Sequence, residues 1–433
     1  MLQIDRVRTA ITPIAVVLAT IGCEAPPDAP PVPRFQIEDS AGIVIVANAR
    51  PEVGSRLGWR VSAEPTFSIG TVEGGDDFQL HRVDDALMLP DGRIVVANAG
   101  SYQLLVFDAA GNFLEAWGQR GQGPGDFGGS WGSDGLVTHL FWIERWPGDS
   151  LAVCHGAGQT FNNVFSVWDT RGKHGRTINL HAGGDLWRCR DVLSDGTIMA
   201  SRRFDDRPSP LPEKGVNRSQ MDFFVLARDG SPLGALGRHP GAEIFWYFEE
   251  HFGDGTGMGL YEPPFQRTLR WAAWGEFAVV APTDRYELRA YRADGSVGRI
   301  VRRENDLPSP AEAHLDDYRA ANPPEGDWAA NPGLLKRYIA TYDAFPLPES
   351  FPAFSALEVD ALGYLWVREY NLPADEDRAL WTVFDPEGRV QGFVETPEGL
   401  VIYEIGEDYI VGKVEDELGV EYVQLWGLER PVG

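Results

Sequence analysis

Arginine carries nearly all the positive charge of this chain, whose only lysines are Lys173, Lys214, Lys336 and Lys413. A guanidinium is a planar fork of donors that matches the two oxygens of a carboxylate or phosphate, so arginines converging on one point make an anion site. His81, Arg82, Arg188, Arg190 and Arg267 each stand a short strand's length ahead of a turn glycine. If those strands are the innermost ones of a ring, the five side chains meet at one mouth of its channel and favour an anionic ligand. The competing reading pairs these arginines with Asp84, Asp85 and Asp191, merely holding neighbouring segments together.

Other reactive patterns are missing. No Gly-x-Ser-x-Gly elbow, no His-Glu-x-x-His, no phosphate-binding loop and no Cys-x-x-Cys is expected, so no residue is singled out as catalytic. Asp76-Asp77 and Asp84-Asp85 lack the spacing of a calcium loop and read as solvated acidic loops. The eight histidines, among them His81, His139, His155 and His181, show no metal-ligand spacing, and no metal site is expected. The run Gly118–Gly125, GQRGQGPG, reads as a turn, because it lacks the strand and helix of a nucleotide site. With Lys+Arg 38 against Asp+Glu 64, the formal charge is -26. A surface so acidic and without a basic patch repels a phosphate backbone, which excludes nucleic acid as a partner.

The first residues read as an export signal. Arg6 and Arg8 precede the uncharged stretch Ala10–Ile21, too short to span a bilayer comfortably. It ends Ala19-Thr20-Ile21-Gly22-Cys23, which resembles a bacterial lipobox: small Gly22 admits the peptidase, and the Cys23 thiol takes the lipid. The expectation is a leader over 1–22 and a lipid-anchored tether over 23–40, kept extended by Pro26, Pro27, Pro30, Pro31 and Pro33. The protein would then sit at a bacterial cell envelope, on its periplasmic or surface face, held to the membrane only by the lipid. Cys154 and Cys189 remain, an even pair that an oxidising compartment allows to form a disulfide; two buried free thiols are the other reading.

Elements that could position such residues follow from two recurring signals. Apolar strands run into turn glycines at Gly111, Gly172, Gly230, Gly295 and Gly388, spaced 61, 58, 65 and 93 apart. A second set of glycines, Gly92, Gly148, Gly196, Gly275, Gly363 and Gly406, each precedes a β-rich run. Together they describe a meander of short antiparallel strands repeated six times, that is, an all-β, six-bladed β-propeller over residues 41–433. The last unit has room for only three strands, and Ile43–Val46 is the candidate to complete it as the outer strand of blade six, closing the ring without a free edge. The long interval holds a small α-helical insert between blades four and five, about 308–345. Ser309-Pro310-Ala311-Glu312 predicts a capped helix start, and Leu334–Tyr342 predicts a second helix. The insert is either a lid over one face or a decoration on a blade edge.

The stretch LPDGRIVVANAGSYQLLVFDAAGNFLEAWGQRGQGPGDF, Leu89–Phe127, resembles an NHL-type propeller blade with its Gly-rich loop. More broadly, with Leu365-Trp366-Val367 and Glu404–Tyr409, the chain is similar to bacterial six-bladed β-propeller lipoproteins over roughly residues 40 to 430. That resemblance implies a fold far more than an activity. The expectation is a binding or scaffolding module for an envelope protein, peptide or glycan, without cofactor. Its alternative is a metal-dependent, lactonase-like hydrolase or lyase with an axial acidic site, for which calcium would be the ion.

Overall fold

The computed structural model describes residues 34–431 apart from 72–74, 76–77, 122, 133–134, 139, 158–161, 183–184, 205–213, 252–254, 306–308, 325 and 371–377. The expected leader, Cys23, the tether prolines, Asp76-Asp77 and His139 lie outside the described residues.

Six antiparallel sheets are arranged as a ring of blades. Blade 1 is Val83–Met88, Ile94–Asn98, Gln103–Phe107 and Phe113–Trp117, from the innermost strand outward. Blade 2 is Leu140–Trp146, Ser150–Ala157, Asn162–Asp169 and His174–Asn179. Blade 3 is Arg188–Val192, Ile198–Phe204, Lys214–Leu226 and Pro232–His251, extended by Gly255–Tyr261. Blade 4 is Leu269–Trp274, Phe277–Pro282, Glu287–Tyr291 and Val297–Arg303. Blade 5 is Phe354–Val359, Leu365–Glu369, Arg378–Phe384 and Val390–Pro397. Blade 6 contributes Val401–Ile405, Tyr409–Glu415 and Glu421–Glu429.

The repeated turns have one local cause. In each of five blades an aspartate at the end of the third strand accepts backbone hydrogen bonds across the turn. Asp108 Oδ1 takes the amides of Ala110 and Asn112 at 2.9 and 2.8 Å, and Asp169 Oδ1 takes those of Arg171 and Lys173, both at 2.9 Å. Asp385 does the same in blade 5, whereas Asp229 and Asp294 in blades 3 and 4 stand directly before the turn glycine and accept from Ser231 N and Ser296 N. The turn glycine, such as Gly111 at φ 80°, supplies the left-handed step that a side chain would resist.

Second strands are buried on both faces, as Ile94–Asn98 is throughout, because each blade is covered by a neighbour on either side. This is why they read as continuous apolar runs rather than alternating ones. The core is accordingly a circle of layers between blades. Leu104 and Val106 of blade 1 share a layer with Leu151 and Val153 of blade 2; Ile94 and Phe107 share another with Val411 and Val423 of blade 6, closing the circle. Cys154 and Cys189 are joined by a disulfide in the layer between blades 2 and 3, with Cα atoms 6.3 Å apart.

Closure differs from the expectation for Ile43–Val46. The outer strand of blade 6 is instead formed by Arg60–Val61 and Phe67–Ile69, both antiparallel to Glu421–Glu429. Ile43–Asn48 lies parallel to Val297–Arg303 on the outside of blade 4, and Phe35–Ser40, expected in the tether, folds back on it as a hairpin. The buried Asn48 side chain fixes this placement: its Nδ2 donates to Arg302 O and Gly388 O at 3.1 and 3.0 Å, and its Oδ1 accepts from Val390 N at 2.8 Å. A β-branched run announces a strand, but it does not say which sheet edge it joins. Between the two ends, Leu57 N donates to Phe393 O at 2.8 Å and Trp59 packs on Tyr364 and Trp366, so residues 35–69 strap the outsides of blades 4, 5 and 6.

The insert holds three helices where two were expected: Glu312–Ala321, Gly326–Ala330 and Pro332–Ala344. The first starts at an Ala311 cap rather than at Ser309, with His314 Nδ1 accepting from Ala311 N at 2.9 Å. Asn331 caps the third by accepting from Gly333 N at 2.9 Å. Leu315 packs with Phe265 and Phe351, which precede the innermost strands of blades 4 and 5. Among the described residues no helix is long and apolar enough to cross a membrane.

Candidate functional site

A funnel of 760 Å³ opens where the innermost strands end, rimmed by Pro147, Ser194, Gly275 and Gly363 of the turns that follow them. Its volume is that of a small-molecule site. The helical insert packs at the opposite ends of these strands, so it does not lid this mouth.

β-Bulges in the innermost strands place the polar groups. In blades 1, 3 and 6 the register shifts between Val83 and Asp85, Cys189 and Asp191, and Ile402 and Glu404. The carboxylate after each shift reaches sideways to another blade. Asp85 Oδ2 accepts from Ile143 N at 2.9 Å, Asp191 Oδ2 from Ala273 N at 2.7 Å, and Glu404 Oε2 from Met88 N at 2.7 Å. In blades 2 and 5 the bulge is followed by Trp142 and Ala356, and the acids come later, at Glu144 and Glu358. Blade 4 has no bulge and presents Ala272 and Ala273.

The funnel carboxyls therefore crowd together away from bulk water. Burial, with Asp191 next, pushes Glu144 up to about 8. Burial also raises Asp191 to about 6, against the Ala273 and Val192 amides that favour its charge. Asp85 and Glu358 are held well above the ordinary carboxylate range by burial, and Glu358 further by Asp85, Asp191 and Glu144. Glu404 is paired with Arg145, which also donates to Met88 O at 2.6 Å. Glu358 makes no hydrogen bond or ion pair with any described residue, although the Arg270 charge lies within electrostatic reach.

A second arginine enters the same space. Arg190 occupies the bulge of blade 3, donates from Nε to Ser201 Oγ at 2.7 Å, and lies 4.4 Å over the Trp271 ring. No described carboxylate pairs with it, and burial lowers it to about 10, with Arg188 contributing. Trp142, Trp271 and Tyr403 complete the polar-aromatic wall, Tyr403 Oη donating to Val83 O at 2.8 Å.

Of the five residues expected to converge, only Arg190 lines the funnel. Arg188 is exposed outside its lining, and His81 is exposed with its amide donating to Asn98 Oδ1 at 2.9 Å. Arg82 sits at φ 57° outside the lining, and Arg267 is bound to Glu243, Nε to Oε1 at 2.8 Å. The expected arginines stand toward the strand beginnings, whereas the polar groups of the funnel gather toward the strand ends. Asp84 and Asp85 are not in a solvated loop but in the innermost strand, facing the funnel. Asp85 and Asp191 do hold blades together, through backbone amides rather than arginines. Glu144, Glu358 and Glu404 were missed. Their signal was an acid just before each turn glycine, in IERWPG, LEVDALG and YEIG.

Two motifs need placing. Gly128-Gly129-Ser130-Trp131-Gly132 has the Gly-x-Ser-x-Gly spacing of a hydrolase nucleophile, also missed. It runs through strand Gly129–Gly132, paired antiparallel with Gly135–Thr138, without the strand-turn-helix setting of such an elbow. In the glycine-rich run, the Gly123 amide is taken by Asp126 Oδ2 at 2.8 Å, so the loop satisfies itself. Among the described residues, no three His, Cys, Asp or Glu side chains are arranged to share a metal ion.

Residues 71–128 match a family model described as a 6-bladed beta-propeller. No curated protein matches the chain. Similar solved structures include a Bacteroides fragilis protein inferred to be exported, with 12% identity, 90% of this chain and 100% of that one covered, and a TM-score of 0.45. A Bacteroides vulgatus protein shows 9% identity over 86% of this chain and 99% of its own, at a TM-score of 0.46. The calcium-binding protein regucalcin of Agrobacterium tumefaciens shows 10% identity, 82% and 94% coverage, and a TM-score of 0.36. With six blades around one axis and a closing strand from the start of the chain, the protein is a six-bladed β-propeller.

Proposed function

We propose that this propeller is an exported, lipid-anchored binding module that holds a small ligand or the end of a peptide in its axial funnel and does no chemistry on it. The supporting observation is how the axial acids are used. Asp85, Asp191 and Glu404 spend an oxygen each on a neighbouring blade's backbone amide, a fixed structural duty. The anchor rests on sequence alone: the short apolar stretch ending at Gly22 and the thiol of Cys23.

A second reading, a hydrolase or lyase, is favoured by one observation. Glu144 and Asp191, pushed to about 8 and about 6, stand in the range where a carboxyl exchanges protons near neutral pH. Calcium is the ion this reading would require. The body from Arg34 onward, purified without chelator, separates the two. No stoichiometric divalent ion and no calcium-dependent melting shift fit the binding module. A bound ion, a shift of several degrees and lactone or ester hydrolysis abolished by chelator would replace it with the enzyme. For the anchor, Cys23→Ser should release the protein from the membrane fraction.

A further inference from the structure

Arg190 and Glu358 line one funnel, and neither has an ion-pair partner among the described residues. The guanidinium lies over the Trp271 ring, Ser201 is its side-chain hydrogen-bond partner among the described residues, and no described carboxylate meets it. The Glu358 carboxyl, on the innermost strand of blade 5, has no hydrogen-bond partner among the described residues. Trp271 lines both the main funnel and the side recess that Glu358 shares with Arg270. Both side chains stand partly open to the funnel, so a donor fork and an acceptor face one cavity without a charged protein partner, ready for a ligand that carries both charges.

We propose that the funnel binds a small zwitterion, an amino acid or short peptide, whose carboxylate is held by Arg190 and whose ammonium is held by Glu358. This deepens the reading of the funnel as the ligand site and rests on it. The division of labour is chemical. The Arg190 fork takes two oxygens side by side, and the Trp271 face beneath it helps hold the planar guanidinium in place. An ammonium needs acceptors from several directions, which Glu358 and Glu144, from different blades, supply. The Trp142, Trp271 and Tyr403 rings cover the apolar part between the charged ends and favour a cation near their faces. Glu144, raised to about 8, carries a proton in the empty funnel at neutral pH, and burial raises Glu358 as well; an arriving ammonium favours the ionised forms, so binding releases protons.

The test is calorimetric titration of the body from Arg34 onward with alanine, dialanine and trialanine, each also as its N-acetyl and C-amide forms. The three lengths separate a free amino acid from a peptide. The unblocked forms should bind best, and blocking either end should weaken binding on the order of tenfold or more. Glu358→Gln should erase the penalty for N-acetylation alone, and Arg190→Gln the penalty for C-amidation alone. Arg190→Lys, which keeps the charge and loses the fork, should behave like Arg190→Gln, and thermal melts verify that each variant folds. Blocked forms that bind as tightly as free ones, with binding still sensitive to Glu358 or Arg190, would overturn the zwitterion and leave the funnel as the ligand site. Binding indifferent to both residues, or no binding by any probe, would overturn both.

Discussion

Asp191 spans two blades: anchored in the innermost strand of blade 3, its Oδ2 accepts from the backbone amide of Ala273 in blade 4 at 2.7 Å. The bond exists because a bulge turns Asp191 sideways at the axis, where the blades come closest. Asp191→Ala leaves the Ala273 amide without an acceptor, and urea unfolding should show a loss of about 1–3 kcal/mol. Asp191→Asn, which retains a carbonyl oxygen, should recover much of that loss.

The axial acids make stability fall as pH rises. With a folded value of about 8 against an ordinary 4.5, Glu144 holds its proton where the unfolded chain has released it. Its contribution is complete below the unfolded value and is lost between roughly pH 5 and 8, at no more than about 1.4 kcal/mol per pH unit. Glu144→Gln imitates the protonated side chain. Its melting temperature should match the wild type near pH 5 and exceed it at pH 8, and equal gaps at both pH values would refute the shift.

The disulfide between Cys154 and Cys189 closes a separation of 35 residues across blades 2 and 3. The double variant Cys154→Ala with Cys189→Ala should lose about 3–4 kcal/mol in a denaturant titration if the constraint acts mainly on the unfolded chain. Mass spectrometry of unreduced peptides should recover 154 and 189 linked.

Asn48 joins the strap to blades 4 and 5 through three backbone partners at once. Asn48→Ala strands the Val390 amide and two carbonyls, and a loss of about 2 kcal/mol or more is expected from thermal or urea melts. Removing residues 34–69 altogether should do more than destabilise. It uncovers the edge of Glu421–Glu429, and light scattering should then detect association through that edge.

The blades were legible because their turns are local chemistry: a turn aspartate and a nearby glycine settle the hairpin regardless of what surrounds it, as at Asp108 and Gly111. The strap was legible only as strands. Which edge Ile43–Asn48 joins depends on how Asn48 meets Gly388 and Val390, residues more than three hundred positions away. The funnel acids were least legible. They stand at unequal distances from their turn glycines, Asp85 well before Gly92 and Glu404 two short of Gly406, because bulges rather than a fixed spacing turn them inward. Arginine at a strand start, as at Arg267, proved to be ordinary pairing with a nearby Glu243.

The strap also sets an order of events. Ser68 and Gln424, whose side chains meet in the finished molecule, are 356 residues apart, so the first described part of the chain to be synthesised is among the last to find its partner. Until the ribosome has delivered Glu421–Glu429, Phe67–Ile69 has no strand to join and the circle of layers lacks its final seam. Folding that waits on so distant a contact is slow. Under the export proposed above, this delay would be an asset: the sequence could not lock into its ring while any of it was still in transit.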